Sequence, residues 1–207
     1  MLRRAFLAAP LAAQLPVTPG LCSMSYNILA CLGFPKTAAN EERFSRLAQQ
    51  QPARMAQELL LYRPDLVNFS ESVTRQTAET IARAMHMNHV WFPPGVPSFN
   101  GYPIGFPGTI LTRFQITESQ DSPGNSDPEL YTRHWGRAVI HTGAEEIVVH
   151  SAHLNPHKSE LRLREIDGIL AVMEKDMKSG RSILLQGDLN HGPEAPEYER
   201  WVKAGLT

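Results

Sequence analysis

The stretch SILLQGDLNHGPE, Ser182 to Glu194, decides how the rest of the chain is read. Ile183, Leu184 and Leu185 form a short apolar run of the kind that makes a buried strand. Gly187 interrupts it, and Asp188 and Asn190 follow two residues apart, a spacing that projects both side chains to the same side of an extended chain. A carboxylate and a carboxamide at the end of a strand, beside a Gly/Pro-rich loop, are what α/β proteins place in an open crevice for chemistry. The same residues also suit an Asx turn closing the strand, and this stretch alone leaves both readings open.

Working outward, the neighbouring segments alternate in period. Ser159 to Lys178 reads as a helix capped by Ser159, with Leu163, Ile166, Leu170 and Met173 along one side. Before it, Trp135–His141 and Glu146–His153 form a hairpin around Thr142-Gly143-Ala144. After the central stretch, Pro196 opens a last helix running to Ala204.

Toward the N-terminus, Leu21 to Ala30 alternates as a strand, with Cys22, Met24, Tyr26 and Ile28 on one face and Ser23, Ser25 and Asn27 on the other. A helix from Pro52 carries Met55, Leu59 and Leu60 and stops at Arg63-Pro64, and the strand Leu66–Phe69 delivers Glu71 at its end. A helix over 74–87 with Ile81, Ala84 and Met85 inward, a strand at His89–Phe92 and a strand at Thr109–Thr112 complete the elements. Between those strands, Pro93–Gly108 reads as an irregular loop presenting Phe99, Tyr102 and Phe106; Asp121–Glu129 reads as a polar loop. The pattern predicts one α/β domain, a two-sheet sandwich with helices on the outer faces.

Composition narrows the partners. The 207 residues are 42% hydrophobic and 20% charged with a net charge of −1, so no global positive field attracts a polyanion. No apolar run approaches about 20 residues, which excludes a membrane-spanning helix. Cys22 and Cys31 lie too far apart along one strand to bridge, and are read as unpaired. The first 20 residues stand apart: Arg3-Arg4 followed by Ala5-Phe6-Leu7, no acidic residue, and Leu11-Ala12-Ala13 resemble a twin-arginine export signal. Residues 1–20 are therefore expected to be an export signal or a disordered terminus, with the folded domain over 21–207. Such a signal, if it works, implies a periplasmic or extracellular protein, and otherwise a cytoplasmic one.

The polar residues at strand ends are Asn27, Glu71, His153, Asp188 and Asn190. Carboxylates and carboxamides are hard oxygen donors that suit Mg²⁺ or Mn²⁺ better than zinc. His150 and His153 are three apart, face opposite ways on a strand, and so do not share one ion.

At this point the chain resembles the endonuclease/exonuclease/phosphatase superfamily, also called deoxyribonuclease I-like. The resemblance rests on MSYNIL (24–29), RPDLVNFSES (63–72), GTILTRF (108–114), HSAHLNP (150–156) and QGDLN (186–190), in that order, and PEYERWVKAGL (196–206) is similar to the helix that follows in the family. The resemblance implies a metal-dependent phosphoester hydrolase acting through Mg²⁺ or Mn²⁺. Glu71 and Asp188 would hold the metal with Asn27 beside it, and Asp188 would orient or deprotonate the attacking water. Asn190 would hold the phosphate or a metal-bound oxygen, His153 would touch the phosphate, and Asn155 is a weaker candidate for substrate contact. The expected substrate is a phosphoester, whether small-molecule, lipid-like or nucleic acid, and the protein is expected to be a monomer.

Two departures from the family pattern stand out. Ser70 precedes the glutamate where the family usually has Gln. The family's C-terminal Asp-His pair is absent from all 207 residues, and His134, His141, His157 and His191 lie in no matching context. The resemblance therefore implies a domain lacking its final strands. It leaves an alternative, a catalytically inactive remnant that binds a metal or phosphate ligand. A secreted binding module using the Phe99, Tyr102 and Phe106 loop is a third reading.

Overall fold

The computed structural model describes residues 20–31, 42, 50–72, 74–96, 105–121 and 127–206. The expected export signal at 1–20 and the aromatic residues Phe99 and Tyr102 lie outside the described residues, save Gly20.

Among the described residues, eight strands form two four-stranded sheets. The first has the order β1 (Ser23–Asn27), β2 (Leu66–Ser70), β4 (Gly108–Thr112), β3 (Asn88–Phe92). The second has the order β5 (Gln115–Gln120), β6 (His134–His141), β7 (Glu146–His153), β8 (Ser182–Asp188). Helices α1 (Gln51–Leu60) and α2 (Arg75–Met85) cover the outer face of the first sheet. Helices α3 (Ser159–Lys178) and α4 (Pro196–Lys203) cover the second. The expected α/β two-sheet sandwich with outer helices is what the chain forms.

Three apolar layers hold it together. Leu66, Phe92, Ile110, Ala138, Ile140 and Val149 interdigitate between the sheets. Val67, Phe69 and Leu111 project the other way, onto Ile81 and Met85 of α2 and Leu59 of α1. Trp135, Ala152 and Leu154 meet Ile166, Ile169 and Met173 of α3. This two-sided burial leaves Leu66–Ser70 with no exposed face: every one of its residues is buried, the polar Asn68 and Ser70 included.

Five local expectations change. The run Ile183–Leu185 is half-buried, because β8 ends its sheet and only β7 pairs with it among the described residues. Helix α2 turns Ala78 and Ala82 inward and leaves Ala84 exposed. On α3 the buried stripe is Leu161, Glu165, Ile166, Ile169, Met173 and Asp176, rotated from the expected one so that it carries two acids. Ser159 does not cap that helix; the Asn155 carboxamide oxygen accepts instead from the backbone N–H groups of His157 and Lys158, at 2.9 and 3.0 Å. The strand β5 was not expected at all: its residues are nearly all polar and exposed, and pairing with β6 alone makes it a strand.

Both acids on α3 are engaged. Asp176 receives a two-pronged contact from Arg137 of β6, Nε at 2.7 Å and an Nη nitrogen at 2.6 Å. The Glu165 carboxylate accepts from the backbone N–H of Tyr131 and of Asn155, each at 2.8 Å. Cys22 and Cys31 are free thiols, as expected. Among the described residues no helix is long and apolar enough to cross a membrane.

Candidate functional site

Parallel pairing brings the polar strand ends together. β1 runs parallel to β2 with Asn27 opposite Ser70, so Asn27 and Glu71 leave their strands at one level. β7 runs parallel to β8 with His153 opposite Asp188. Because β1 packs across from β8, the two pairs meet at one mouth of the sandwich.

Asn27 is the hinge of the arrangement. Its Nδ2 donates to Glu71 Oε1 and to Asp188 Oδ2, both at 3.0 Å, joining residues that are 117 positions apart in the chain, 71 against 188. Its Oδ1 accepts from the N–H of Leu29 at 3.0 Å, which fixes the amide's orientation: the reverse would set an oxygen against two carboxylates. The face of β1 carrying Ser23, Ser25 and Asn27 is the one turned toward the second sheet, and Ser23 Oγ accepts from Gln186 Nε2 at 2.6 Å across the gap.

Asp188 serves two purposes at once. Its Oδ1 accepts from the N–H of Asn190 at 3.2 Å, which is the Asx turn, while Oδ2 faces Asn27 and the site. The Asx turn therefore uses one oxygen of the carboxylate and leaves the other to Asn27. Asn190 lies beyond the strand with φ +52°, so strand alternation does not aim it; its Nδ2 donates to the Leu154 carbonyl at 2.9 Å and ties the end of β8 to the end of β7. Asn155 has its side-chain oxygen committed to the turn before α3.

Backbone strain gathers here. Glu71 sits at φ +58°, and Leu29, Ala30 and Cys31 make a left-handed turn at φ +43°, +53° and +58°. Left-handed backbone in residues with a Cβ costs about 1–3 kcal/mol each and persists only where the surroundings impose it. The N–H of Ala30 bonds the Glu71 carbonyl at 3.0 Å, locking the two strained segments to one another.

His153 is almost fully buried, 2% exposed, and its Nε2 lies 3.8 Å from Asp188 Oδ2. Burial first, with the electrostatic influence of neighbouring His134 and Arg133 in the same direction, pushes its pKa down to about 2, so the imidazole is neutral and the contact with Asp188 is not an ion pair. His150, three residues earlier, points the other way, under α3 beside Trp135 and Asp176. The two histidines do not share a site.

Three residues that sequence reading passed over belong to this neighbourhood. Arg133 is buried, with its guanidinium 4.4 Å above the Phe106 ring. Burial lowers its pKa, while the negative charges of Glu71, Asp188 and Glu165 act the other way. It supplies positive charge opposite the acids. His134 stands opposite His153 on β6, its ring 6.0 Å away, held by the Phe106 carbonyl at 3.1 Å and by Ser151 Oγ at 3.0 Å. Burial drops its pKa to about 4. Glu165 pins the backbone just before His134, at Tyr131, and just after His153, at Asn155. The only sequence signal was a Tyr-Thr-Arg-His run entering a strand; nothing local marks Arg133 as buried.

The donor set fits a hard cation. Glu71 and Asp188 each turn an oxygen toward a single N–H₂ group, and Asp188 remains one-third exposed, open to water. Among the described residues no three His, Cys, Asp or Glu side chains form a metal-holding group. Two carboxylates with room for water are what Mg²⁺ takes, since it keeps several waters in its shell. Ser70 Oγ, next to Glu71 in the chain, is buried without a hydrogen-bond partner among the described residues, so the position where the family usually has Gln gives the acid no side-chain support there.

A family model described as Endonuclease/Exonuclease/phosphatase family matches residues 24–207. Solved structures share the fold at low identity. The human Nocturnin catalytic domain with bound sulfate superposes with a TM-score of 0.65 at 15% identity, over 90% of this chain and 69% of that one. A β-hairpin deletion mutant of β toxin from Staphylococcus aureus gives 0.61 at 14%, over 89% and 72%. TDP2 from C. elegans gives 0.59 at 17%, over 83% of this chain and 48% of that one, so the chain spans about half the length of that structure. No curated protein matches the chain.

Proposed function

The chain belongs to the endonuclease/exonuclease/phosphatase family, and from that premise we propose that it is a Mg²⁺- or Mn²⁺-dependent phosphoester hydrolase. The observation that carries the reading is the single Asn27 amide group bonded at 3.0 Å to both Glu71 and Asp188. Two carboxylates held this close repel one another, and a fold gains by keeping them together when a cation is to sit between them.

In this reading Glu71 and Asp188 hold the ion. Asn27 presents a donor nitrogen to them, so it keeps the carboxylates in place rather than ligating the metal. The ion, when bound, supplies positive charge to the phosphate and acidifies water. Asp188, fixed on one side by the Asn190 N–H, would also orient the attacking water by accepting its hydrogen bond. His153, neutral and buried, donates a ring N–H to a phosphate oxygen, and Arg133 places its charge where negative charge develops. Asn190 acts mainly by bracing the two strand ends, with its backbone near the phosphate, and Asn155 by shaping the loop after His153. The domain is residues 21–207, and the Arg3-Arg4 segment over 1–20 directs export.

A second reading, a metal- or phosphate-binding protein without turnover, is favoured by one point: burial lowers the pKa of both imidazoles at the mouth, His134 and His153, so that neither offers a proton to the leaving oxygen. The deciding experiment is hydrolysis of a generic phosphodiester by the purified chain with and without Mg²⁺ or Mn²⁺, alongside Glu71→Gln and Asp188→Asn. Metal-dependent turnover lost in both variants supports the hydrolase. Metal binding by calorimetry without turnover supports the second reading. Turnover that survives Glu71→Gln removes the site as drawn.

A further inference from the structure

A cleft of about 350 Å³ opens between α2 and the edges of β3 and β5. It lies on the same rim as the acid pair. The register sets Ser70, Gly108 and Phe92 in one row across the first sheet, so β3 stands two strand spacings, roughly 10 Å, from the strand that delivers Glu71. Helix α2, which forms one wall, begins at Arg75, four residues after Glu71. Two of its lining residues, Arg75 and Phe92, thus sit at the level of the mouth, about the length of a substrate's organic group from the strand that delivers Glu71.

Its walls select a kind of ligand. Val90 and Phe92 point into the core between the sheets, which leaves the alternate residues His89 and Trp91 facing α2. The Arg75 guanidinium lies over the Trp91 ring, 5.4 Å from its centroid, and the two make a flat, polarisable surface. Ser119 and Asp121 line the opposite side, and β3 and β5 each end their sheet among the described residues, so strand-edge backbone groups face the space. Glu79 and Asp121 outnumber Arg75, which disfavours a second phosphate; the polar lining disfavours an acyl chain.

We propose that this cleft is the subsite for the organic group esterified to the scissile phosphate, and that this group is a neutral hydrogen-bonding ring, a nucleoside or a sugar. The inference rests on the hydrolase reading for the identity of the phosphate end, but the cleft is testable separately. Flat heterocycles gain most from an aromatic–guanidinium surface, and removing one such stack weakens binding about 5- to 150-fold.

The test has a binding arm and a kinetic arm. Calorimetry of the full chain with adenosine, with methyl glucoside and with inorganic phosphate is compared with Trp91→Ala and Trp91→Phe, each checked for an unchanged melt. One ring ligand is expected to bind, to weaken by 5- to 150-fold in Trp91→Ala and to recover in Trp91→Phe, with phosphate affinity unmoved; whether adenosine or the glucoside binds identifies the source. In the kinetic arm, with Mg²⁺ and phosphorus NMR, Trp91→Ala is expected to raise KM for the ring ester that matches the bound ligand, adenylyl-adenosine or a glucosyl methyl phosphodiester. KM for ring-free glycerophosphoethanolamine should stay unchanged, as should kcat for both. Ring binding that depends on Trp91 without hydrolysis of any ester leaves the cleft inference standing and sinks the hydrolase reading. No ring binding, or an equal loss for ring-bearing and ring-free esters, overturns the cleft inference.

Discussion

Replacing Asn27 by Ala separates two roles that the amide could have, ligand and spacer. Its Nδ2 is 3.0 Å from an oxygen of Glu71 and 3.0 Å from an oxygen of Asp188, so those oxygens lie at most twice that, 6.0 Å, apart. Two unit charges at this separation repel by ~3 kcal/mol at an effective dielectric constant of about 20 and by ~0.7 kcal/mol in bulk water. With Asp188 one-third exposed, the truth lies between, and losing the bridging N–H₂ should cost about 2 kcal/mol in the metal-free protein. For a chain of this size that lowers the melting temperature by about 4–8 °C. Thermal melts in EDTA and in Mg²⁺ measure it. A spacer role predicts that Mg²⁺ raises the melting temperature of Asn27→Ala by more than it raises the parent's, because the cation takes over the bridging. If Asn27→Ala melts with the parent in EDTA, or gains less than the parent from Mg²⁺, the spacer argument is refuted and the side chain is a ligand or a bystander.

Three other outcomes follow from the packing. His150 is fully buried and its pKa falls to about 4 from 6.5, chiefly through burial, so its contribution is complete above pH 6.5 and is lost as the pH drops toward 4, where the unfolded chain has bound a proton and the folded one has not. That displacement is worth about 3 kcal/mol at about 1.36 kcal/mol per pH unit; urea titrations between pH 7 and 4 should show a shallower decline in His150→Leu, and an unchanged decline would contradict it. Glu165→Ala strands the buried N–H groups of Tyr131 and Asn155 and should destabilise by about 2–5 kcal/mol, with faster amide exchange at those two positions as the specific sign. Gly136→Ala would set a Cβ 2.2 Å from the Phe92 ring, so a loss of about 1–3 kcal/mol is expected, relieved when Phe92→Leu is added; equal losses with and without the second change would show that the contact is not the cause.

Much of the fold was legible because its signals are local. The alternation in Leu21–Ala30, the proline-started helices at Pro52 and Pro196, the hairpin around Thr142-Gly143-Ala144 and the strand delivering Glu71 all follow from short-range periodicity and backbone chemistry, and the structure has elements at each. The order of five motifs was enough to point to the family that the chain belongs to. What failed to show had no local cause: β5 is a strand only because β6 pairs with it, and the stripe of α3 rotates to bury Glu165 and Asp176 because their partners Tyr131, Asn155 and Arg137 come from distant segments.

The same division runs through the site. From sequence alone came the oxygen-rich set of Asn27, Glu71 and Asp188, because residue type and position at a strand end are written in the chain. Tertiary structure decided that these three meet, through two parallel strand pairs facing one another across the sandwich, and that Asn190 and Asn155 spend their side chains on bracing and turning. It also decided that Arg133 and His134 stand beside them and that His153 is neutral. Charge state and neighbourhood depend on what water is excluded and which groups approach through space, and neither is a property of any short stretch of sequence.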